Sequence, residues 1–375
     1  MIDCDVLVIG AGIAGASIAC ELAAHAKVVI VEREERAGYH TSGRSAAMFI
    51  ESYGPAPVRR LTSASRAFFD APPAGFSDYP LLTPRPALTI ARADQSGALE
   101  AVAAQLTETG GAFREVSAAD AKALVPALRP EAAVRALIEP DSADIDVDAL
   151  LQGFLRLGRS RGVELMSGAA IDGLERAAGR WQIRLADGRT MTATTLINAA
   201  GAWGDAVAQL AGAAPIGLVP KRRTVILVDP PAAESVAGWP TVVGAAEDFY
   251  FKPQSGLILA SPCDETPSAA VDAAPEEWDI AVAVERLQTA ADIPVRRIAQ
   301  SWAGLRTFTA DHIQAFGFDT GVEDFFWFAG QGGFGMQTAP AAARLGAALA
   351  LRRPAPSDLM DRGVAASDFA PGRFG

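Results

Sequence analysis

An apolar run that breaks on three spaced glycines restricts the folds open to this chain more than any other feature. Residues 6–15 read VLVIGAGIAG. Val6 to Ile9 has the continuous apolar pattern of a strand buried on both faces. Gly10, Gly12 and Gly15 follow in G-x-G-x-x-G spacing, and Ile13, Ala14, Ala16, Ile18, Ala19, Leu22 and Ala23 recur at helical period. Val28 to Val31 makes a second buried strand, which ends on Glu32. Each part has a physical task. Gly10 permits a tight turn, Gly12 lets backbone approach a pyrophosphate, and Gly15 lets helix and strand pack closely. The helix amino terminus offers unpaired N–H groups and its positive dipole end to phosphates. A carboxylate at Glu32 accepts ribose hydroxyls and repels a 2′-phosphate. The spacing predicts a dinucleotide-binding α/β unit, disfavours NADP, and leaves NAD and FAD open.

A second glycine cluster bears on that choice. FFWFA, Phe325 to Ala329, has the pattern of a buried strand; GQGGFGMQT follows, then an alanine-rich helix expected from Pro340 to Leu351. Gly330, Gly332 and Gly335 repeat the glycine spacing, but Arg352 and Arg353 stand where an acidic strand end is needed. A glycine turn opening a helix can aim N–H groups at the carbonyl edge of a flavin ring. An N-terminal nucleotide unit completed by such a turn suits FAD better than NAD; a plain strand–helix connection fits the pattern equally.

Composition excludes other classes. Half of the 375 residues are hydrophobic, so the chain has a real core. The net charge of −11 argues against a basic nucleic-acid surface and against attraction to an anionic membrane. Cys4, Cys20 and Cys263 are too few and scattered for a disulfide framework or zinc site. No apolar stretch reaches membrane-spanning length, and a cytoplasmic location is expected.

Between the glycine clusters the pattern alternates. Prolines break residues 72–86, helical periodicity marks 95–125, and a helix is expected over Asp148 to Gly162 with Asp146 or Asp148 at its start. VELMSG, IDGLERA, WQIRLADG and TMTATTLINAAG suggest strands, with Asp187-Gly188 as a hairpin signal. Strands also dominate Thr224 to Ala260, before a helix from Glu276 to Ala290. A β-rich block inserted between pieces of a nucleotide domain fits a substrate domain. The expected fold is α/β (α+β): a discontinuous Rossmann-like unit (1–80, 145–215, 305–375) with a β-sheet-rich unit (81–144, 216–304).

MIDCDVLVIGAGIAGAS (1–17), VEREERAGYHTSGRSAA (31–47), NAAGAWGDAVAQLAG (198–212), PKRRT (220–224), WAGLR (302–306) and GQGGFGMQT (330–338) together resemble the D-amino acid oxidase superfamily of flavoproteins. The similarity is strongest to its bacterial arginine-specific dehydrogenases and includes LLTPRP (81–86) and DIDVDAL (144–150). The resemblance implies a glutathione-reductase/DAO-type fold, non-covalent FAD, and oxidation of D-amino acids to imino acids, with a quinone or O2 as acceptor. It places Gly10, Gly12, Ala14, Gly15, Glu32, Arg33 and Ala170 at the adenosine and phosphate end of FAD, joined by Ala200, Gly201 and Trp203. The loop of Thr41, Ser42, Gly43, Arg44, Ser45, Ala46, Ala47 and Met48 would cover pyrophosphate and flavin. Gly333, Phe334, Gly335, Met336, Gln337 and Thr338 would lie near the flavin ring. Arg223, Tyr250 and Arg306 would hold the substrate carboxylate, Tyr53 would lie over the pocket, and the Gly333 carbonyl would take the substrate amine. Without the resemblance, PKRRT reads as a solvated basic patch.

Departures from that pattern bear on substrate. The arginine-specific enzymes carry a glutamate where this chain has Ala87, and a histidine and a threonine where it has Met48 and Ile50. With Thr241 and Val243 in the same region, the pocket is expected to be apolar and to prefer uncharged side chains over D-arginine. Glu51 is expected to point away. An oxidase of secondary amines is the competing enzyme reading, although none of Lys27, Lys122, Lys221 and Lys252 lies in an evident flavin segment. A flavin-binding sensor without turnover is the competing non-enzyme reading.

Overall fold

In the computed structural model, which describes residues 2–231 and 235–374, the opening motif builds the centre of an eight-stranded sheet. Ile2–Ile9 pairs in parallel with Thr190–Asn198 on one side and Val28–Val31 on the other, and Glu164–Met166 continues beyond. Phe325–Ala329 adds in parallel to the end of Thr190–Asn198. Ile171–Ala177 and Arg180–Leu185 run antiparallel beside it, and Asp187-Gly188 makes the expected turn with Gly188 at φ +87°. The unbroken apolar run has a simple cause. Val6 and Val8 face the core shared with helices Ile13–Leu22 and Gly335–Ala350, while Leu7 and Ile9 face a second core with Trp181, Leu196 and Trp327.

A nine-stranded sheet forms the other layer. Val219–Val228 pairs along Ile298–Phe308, and the sheet continues through Leu257–Ser261, Tyr250–Gln254, Thr241–Gly244, Ala87–Ala91 and Arg135–Glu139 to Arg114–Val116. PKRRT lies inside Val219–Val228, not on a solvated patch: Arg222 is buried against Asp279 and Glu276. The unit boundary expected at 305 falls within the strand Ile298–Phe308. Residues 95–125 form two helices, Ser96–Thr109 and Ala118–Leu124, with a short strand between them.

Two helix starts are settled by capping. Asp146 caps Val147–Ser160, its carboxylate accepting from Ala149 N at 2.9 Å. The last long helix begins at Gly335, five residues before the expected Pro340. A proline removes one helical donor and crowds the carbonyl four residues back. Ser65 repairs the gap: its Oγ accepts from Ala341 N at 3.2 Å and lies 3.3 Å from the Thr338 carbonyl. Among the described residues no helix is long and apolar enough to cross a membrane, and no group of side chains could hold a metal ion.

Candidate functional site

One continuous groove runs from the tip of the first glycine turn to a chamber under the nine-stranded sheet. Its outer end is walled by Gly10, Gly12, Glu32, Arg33, Ala170, Ala200, Gly201 and Trp203. Its middle is walled by Gly12, Ala14, Thr41, Ser42, Arg44, Ser45, Ala46, Arg223, Tyr250, Arg306, Gly333, Gly335 and Met336. The glycines divide by role. Gly10 sits at φ +102°, where a Cβ would lie 2.7 Å from the Ala199 carbonyl. A Cβ on Gly15 would fall 1.8 Å from the Gly10 carbonyl, so Gly15 serves packing and does not line the groove. A Cβ on Gly12 would meet only Ser42 Oγ, at 3.1 Å, and Gly12 borders the groove itself. The Glu32 carboxylate accepts from Ala11 N at 2.7 Å and Glu34 N at 2.9 Å, which fixes it at the strand end. Helix Ile13–Leu22 has no acid in its first turn, so its dipole faces the groove uncancelled.

The 41–48 loop is stapled to the second sheet. Thr41 Oγ1 donates to the Leu305 carbonyl at 2.6 Å, and Trp302 Nε1 donates to the Arg44 carbonyl at 2.9 Å. The Arg44 guanidinium is occupied elsewhere: it pairs with Asp272 and donates to the carbonyls of Ala273 at 2.8 Å and Ala303 at 3.1 Å. Arg44 is therefore a strap for the loop as well as part of the groove wall. Gly43 does not line the groove, because it is folded onto the Gly38 carbonyl. Phe334 and Thr338 do not line it either. Phe334 packs under Tyr53 at 4.8 Å between ring centres, and Thr338 is buried with its hydroxyl on the Phe334 carbonyl.

The inner chamber, about 400 Å³, gathers Tyr53, Arg223, Tyr250, Arg306, Gly333 and Gln337, with Ala47 on its wall. Adjacent strands bring the arginines together. Lys221 pairs with Arg306 and Arg223 with Gly304, so both guanidinium groups leave the same face two residues apart in register. Arg223 is anchored by the Asp264 carbonyl at 2.9 Å and Glu265 at 3.3 Å. Arg306 has a single hydrogen bond among the described residues, to the Tyr53 hydroxyl at 3.0 Å. Burial pushes the Tyr250 phenol above its usual pKa, which keeps it a neutral donor. A Cβ on Gly333 would stand 2.7 Å from the Tyr53 hydroxyl and 2.9 Å from Arg306 Nη1, so any side chain there would push against both. Gln337 accepts from Ile50 N at 3.2 Å and donates to Thr62 at 2.9 Å, fixing the pocket strand to the last helix.

Met48, Ile50, Ala87, Thr241 and Val243 all line this chamber. The pocket, expected to be apolar, also holds an acid. Glu139, 3% exposed, lines the chamber. It is the cross-strand partner of Ala87, so its side chain leaves the sheet on the same face. Sequence reading missed it because an acid closing the short strand Arg135–Glu139 looks like a surface strand end. Glu51 does not line the chamber and borders a small recess behind it that Glu139 also borders. Burial, opposed by hydrogen bonds from Ser52, pushes the Glu139 carboxyl up to about 7. Its folded pKa thus lies above the unfolded one. Between about pH 4.5 and 7 the folded chain keeps a proton that the unfolded chain loses, so stability falls as pH rises through that window. Glu139→Gln is expected to unfold about 2–4 kcal/mol less readily than wild type above pH 7.5, with no difference below pH 4. Urea unfolding at several pH values checks this, and a constant offset between the two curves contradicts it.

Four more titratable chamber residues were not among the expected site residues: Glu247, Cys263, Glu265 and His312. His312 stacks on Phe308 at 4.5 Å, and Lys221 pairs with Glu265 at 2.8 Å. They come from turns far apart in sequence and carry no shared spacing. His40 belongs to the outer groove, 2.9 Å from Glu34. His25 lies in the turn after the first helix. Lys252 is buried in the nine-stranded sheet with its ammonium 2.5 Å from Asp144, which Arg85 also holds.

The fold has counterparts among known proteins. The family model DAO, described as FAD dependent oxidoreductase, matches residues 5–349. The fold is similar to glycine oxidase from Geobacillus kaustophilus, with a TM-score of 0.82, 20% identity, and 94% of this chain and 96% of that one covered. L-alpha-glycerophosphate oxidase from Mycoplasma pneumoniae with FAD bound superposes with a TM-score of 0.84 at 19% identity, over 94% and 95% of the two chains. L-proline dehydrogenase from P. horikoshii gives 0.82 at 19% identity, over 100% and 98%. The residues present fit the cofactor: a cradle at Gly12 that a side chain would fill, a fixed carboxylate at Glu32, and a groove leading to the chamber. The chain belongs to the DAO family of FAD-dependent oxidoreductases.

Proposed function

We propose that this flavoenzyme oxidises the α-carbon–nitrogen bond of D-amino acids. The observation that carries the reading is the pair Arg223 and Arg306, set with two tyrosines in one chamber against the Gly333 turn. Two guanidinium groups and a neutral phenol in a closed site make a carboxylate clamp. Arg306 keeps donors free for a ligand. The Gly333 carbonyl orients the amine, and together these contacts hold the α-hydrogen in line for transfer. FAD, when bound, supplies the two-electron hydride acceptor. The substrate leaves as an imino acid after losing its amine proton, and water converts it to a 2-oxo acid and ammonia. The D-configuration rests on the sequence resemblance. While Glu139 is protonated, the chamber wall formed by Met48, Ile50, Ala87 and Val243 favours uncharged side chains.

The strands of the eight-stranded sheet with their helices form the FAD-binding unit in this reading, and the nine-stranded sheet forms the substrate unit. Non-covalent FAD and a cytoplasmic location belong to the same reading, the latter supported by the buried free thiols of Cys4 and Cys20. An oxidase of secondary amines is disfavoured, because the buried Lys252 is held by Asp144 and does not line the chamber.

Anaerobic mixing of the yellow holoenzyme with each D- and L-amino acid tests the proposal. Bleaching by D-amino acids and not by L-amino acids is expected, and bleaching by none contradicts it. Repetition in air with peroxide detection separates O2 from a quinone-type acceptor. Denaturation is expected to release intact FAD; a pellet that stays yellow contradicts non-covalent binding. Glu32→Ala is expected to weaken FAD binding by about 1–3 kcal/mol, the cost of unpaired polar partners. Flavin retention on dilution measures it, and unchanged retention removes Glu32 from the site.

A further inference from the structure

Across the chamber from the arginines, three adjacent strands present one row of side chains. Thr241 pairs with Ala87, and Ala87 pairs with Glu139, so all three leave the sheet on the chamber face. The middle member is only a methyl group, which opens space between the outer two. Both outer members are polar and poorly satisfied. The Thr241 hydroxyl is fully buried and has no hydrogen-bond partner among the described residues. Glu139 is hydrogen-bonded by Ser52, from its hydroxyl at 2.7 Å and from its backbone, and no described Lys, Arg or His lies within ion-pair distance of it. A buried carboxyl without a cation is costly unless a ligand completes it. The Thr241 hydroxyl is covered, so that residue contributes wall to this end of the chamber.

We propose that Glu139 is a specificity-determining subsite that receives a cationic nitrogen at the far end of the substrate's side chain. The proposal deepens the amino acid oxidation proposed above and rests on it. The two ends of the chamber then divide the work. The arginine pair takes the carboxylate common to all substrates, and Glu139 reads the side chain.

The charge on Glu139 sets what it reads. Burial pushes its carboxyl up to about 7. Protonated, it is a neutral wall that tolerates an apolar chain and leaves a cation without a counter-charge. Ionised, it becomes the counter-charge for an ammonium or guanidinium. Among the described residues no cation pairs with it, and Asp141 borders the recess behind it. Glu51, behind it, pushes its pKa up. The Ala87–Ala91 strand shows it only Ala87 and Thr89, and helix Ser96–Thr109 shows the chamber Val102 and Gln105. The neighbouring Arg114–Val116 strand stops at Ile138. Glu247, Glu265, His312, Arg223 and Arg306 lie on the remaining walls. Selectivity for a cation over its uncharged isostere should therefore rise as pH passes up through about 7.

D-lysine and D-norleucine make a matched pair of probes, alike in chain length and different in the terminal ammonium. The measurement is kcat/KM for both, from pH 5.5 to 9, with wild type, Glu139→Gln and Glu139→Leu holoenzymes. In wild type the D-lysine to D-norleucine ratio is expected to climb about tenfold per pH unit below 7 and to level off above it. In both variants it should be flat with pH, and at pH 8.5 lower than wild type by about 30-fold or more. At pH 8.5 the loss in Glu139→Gln should fall at least about 30-fold harder on D-lysine than on D-norleucine. A wild-type ratio that ignores pH, or equal losses for both probes in Glu139→Gln, overturns the subsite while D-amino acid oxidation stands. If neither probe reduces the flavin in wild type, the proposed function falls and this inference falls with it.

Discussion

Arg306→Met is expected to lower kcat/KM for the best D-amino acid by about 2–5 kcal/mol, roughly 30- to several-thousand-fold. The geometry explains why this arginine should cost more than its neighbour. Arg306 has one hydrogen bond among the described residues, to Tyr53, so most of its five donors are free for a ligand. Arg223 is already tied to the Asp264 carbonyl and to Glu265. Its removal also leaves Glu265 with Lys221 alone, so part of the cost of Arg223→Met is structural. The loss in Arg306→Met should fall on kcat and KM together, because a mispositioned carboxylate misaligns the α-hydrogen as well as weakening binding. Arg306→Lys should recover only part of it, since an ammonium cannot form the forked pair. Steady-state kinetics on the flavin-loaded variants checks this. Activity within threefold of wild type in Arg306→Met removes Arg306 from the substrate site.

Gly15→Ala is expected to have an effect of similar size but of a different kind. The added methyl would sit 1.8 Å from the Gly10 carbonyl and 3.3 Å from Val8 Cγ1, and the first is a backbone atom that cannot rotate aside. The strand–turn–helix unit must open to accept it, at a cost of about 3 kcal/mol or more. Both urea stability and flavin content should drop. Gly12→Ala is the contrast: its methyl would meet a single hydroxyl, that of Ser42, at 3.1 Å while projecting into the groove. It should lose flavin and keep most of its stability. Equal stability losses in the two variants would contradict the division of the glycines into packing and binding roles.

That division shows how far the sequence carries. The G-x-G-x-x-G turn, both flanking strands and Glu32 were legible because they are contiguous and their periodicity is fixed by burial on both faces. Arg223 and Arg306 are different. They stand 83 positions apart, on strands whose pairing no local pattern encodes, and resemblance alone marked them. Glu139 was illegible for a related reason. The loss of an acid at Ala87 can be seen in a linear string, but the presence of another acid directly across the strand pair appears only once the register is known. The start of the last helix was misplaced by Pro340, because the hydroxyl that compensates for it belongs to Ser65, on another helix. Arg44 was expected to serve the cofactor, yet its guanidinium holds a segment more than 220 residues away.

The central claim is that a substrate carboxylate docks between Arg223 and Arg306 beside the flavin, and a matched pair of reductants tests it most directly. D-norleucine and D-norleucinamide share the α-carbon, amine and side chain and differ in the charge of one group. The measurement is the anaerobic rate at which each bleaches the yellow holoenzyme. D-norleucine is expected to reduce the flavin at least about a hundredfold faster per unit concentration, the equivalent of one unmet ion pair in a closed site. Reduction by the amide at the rate of the acid would contradict the carboxylate clamp and the function proposed from it.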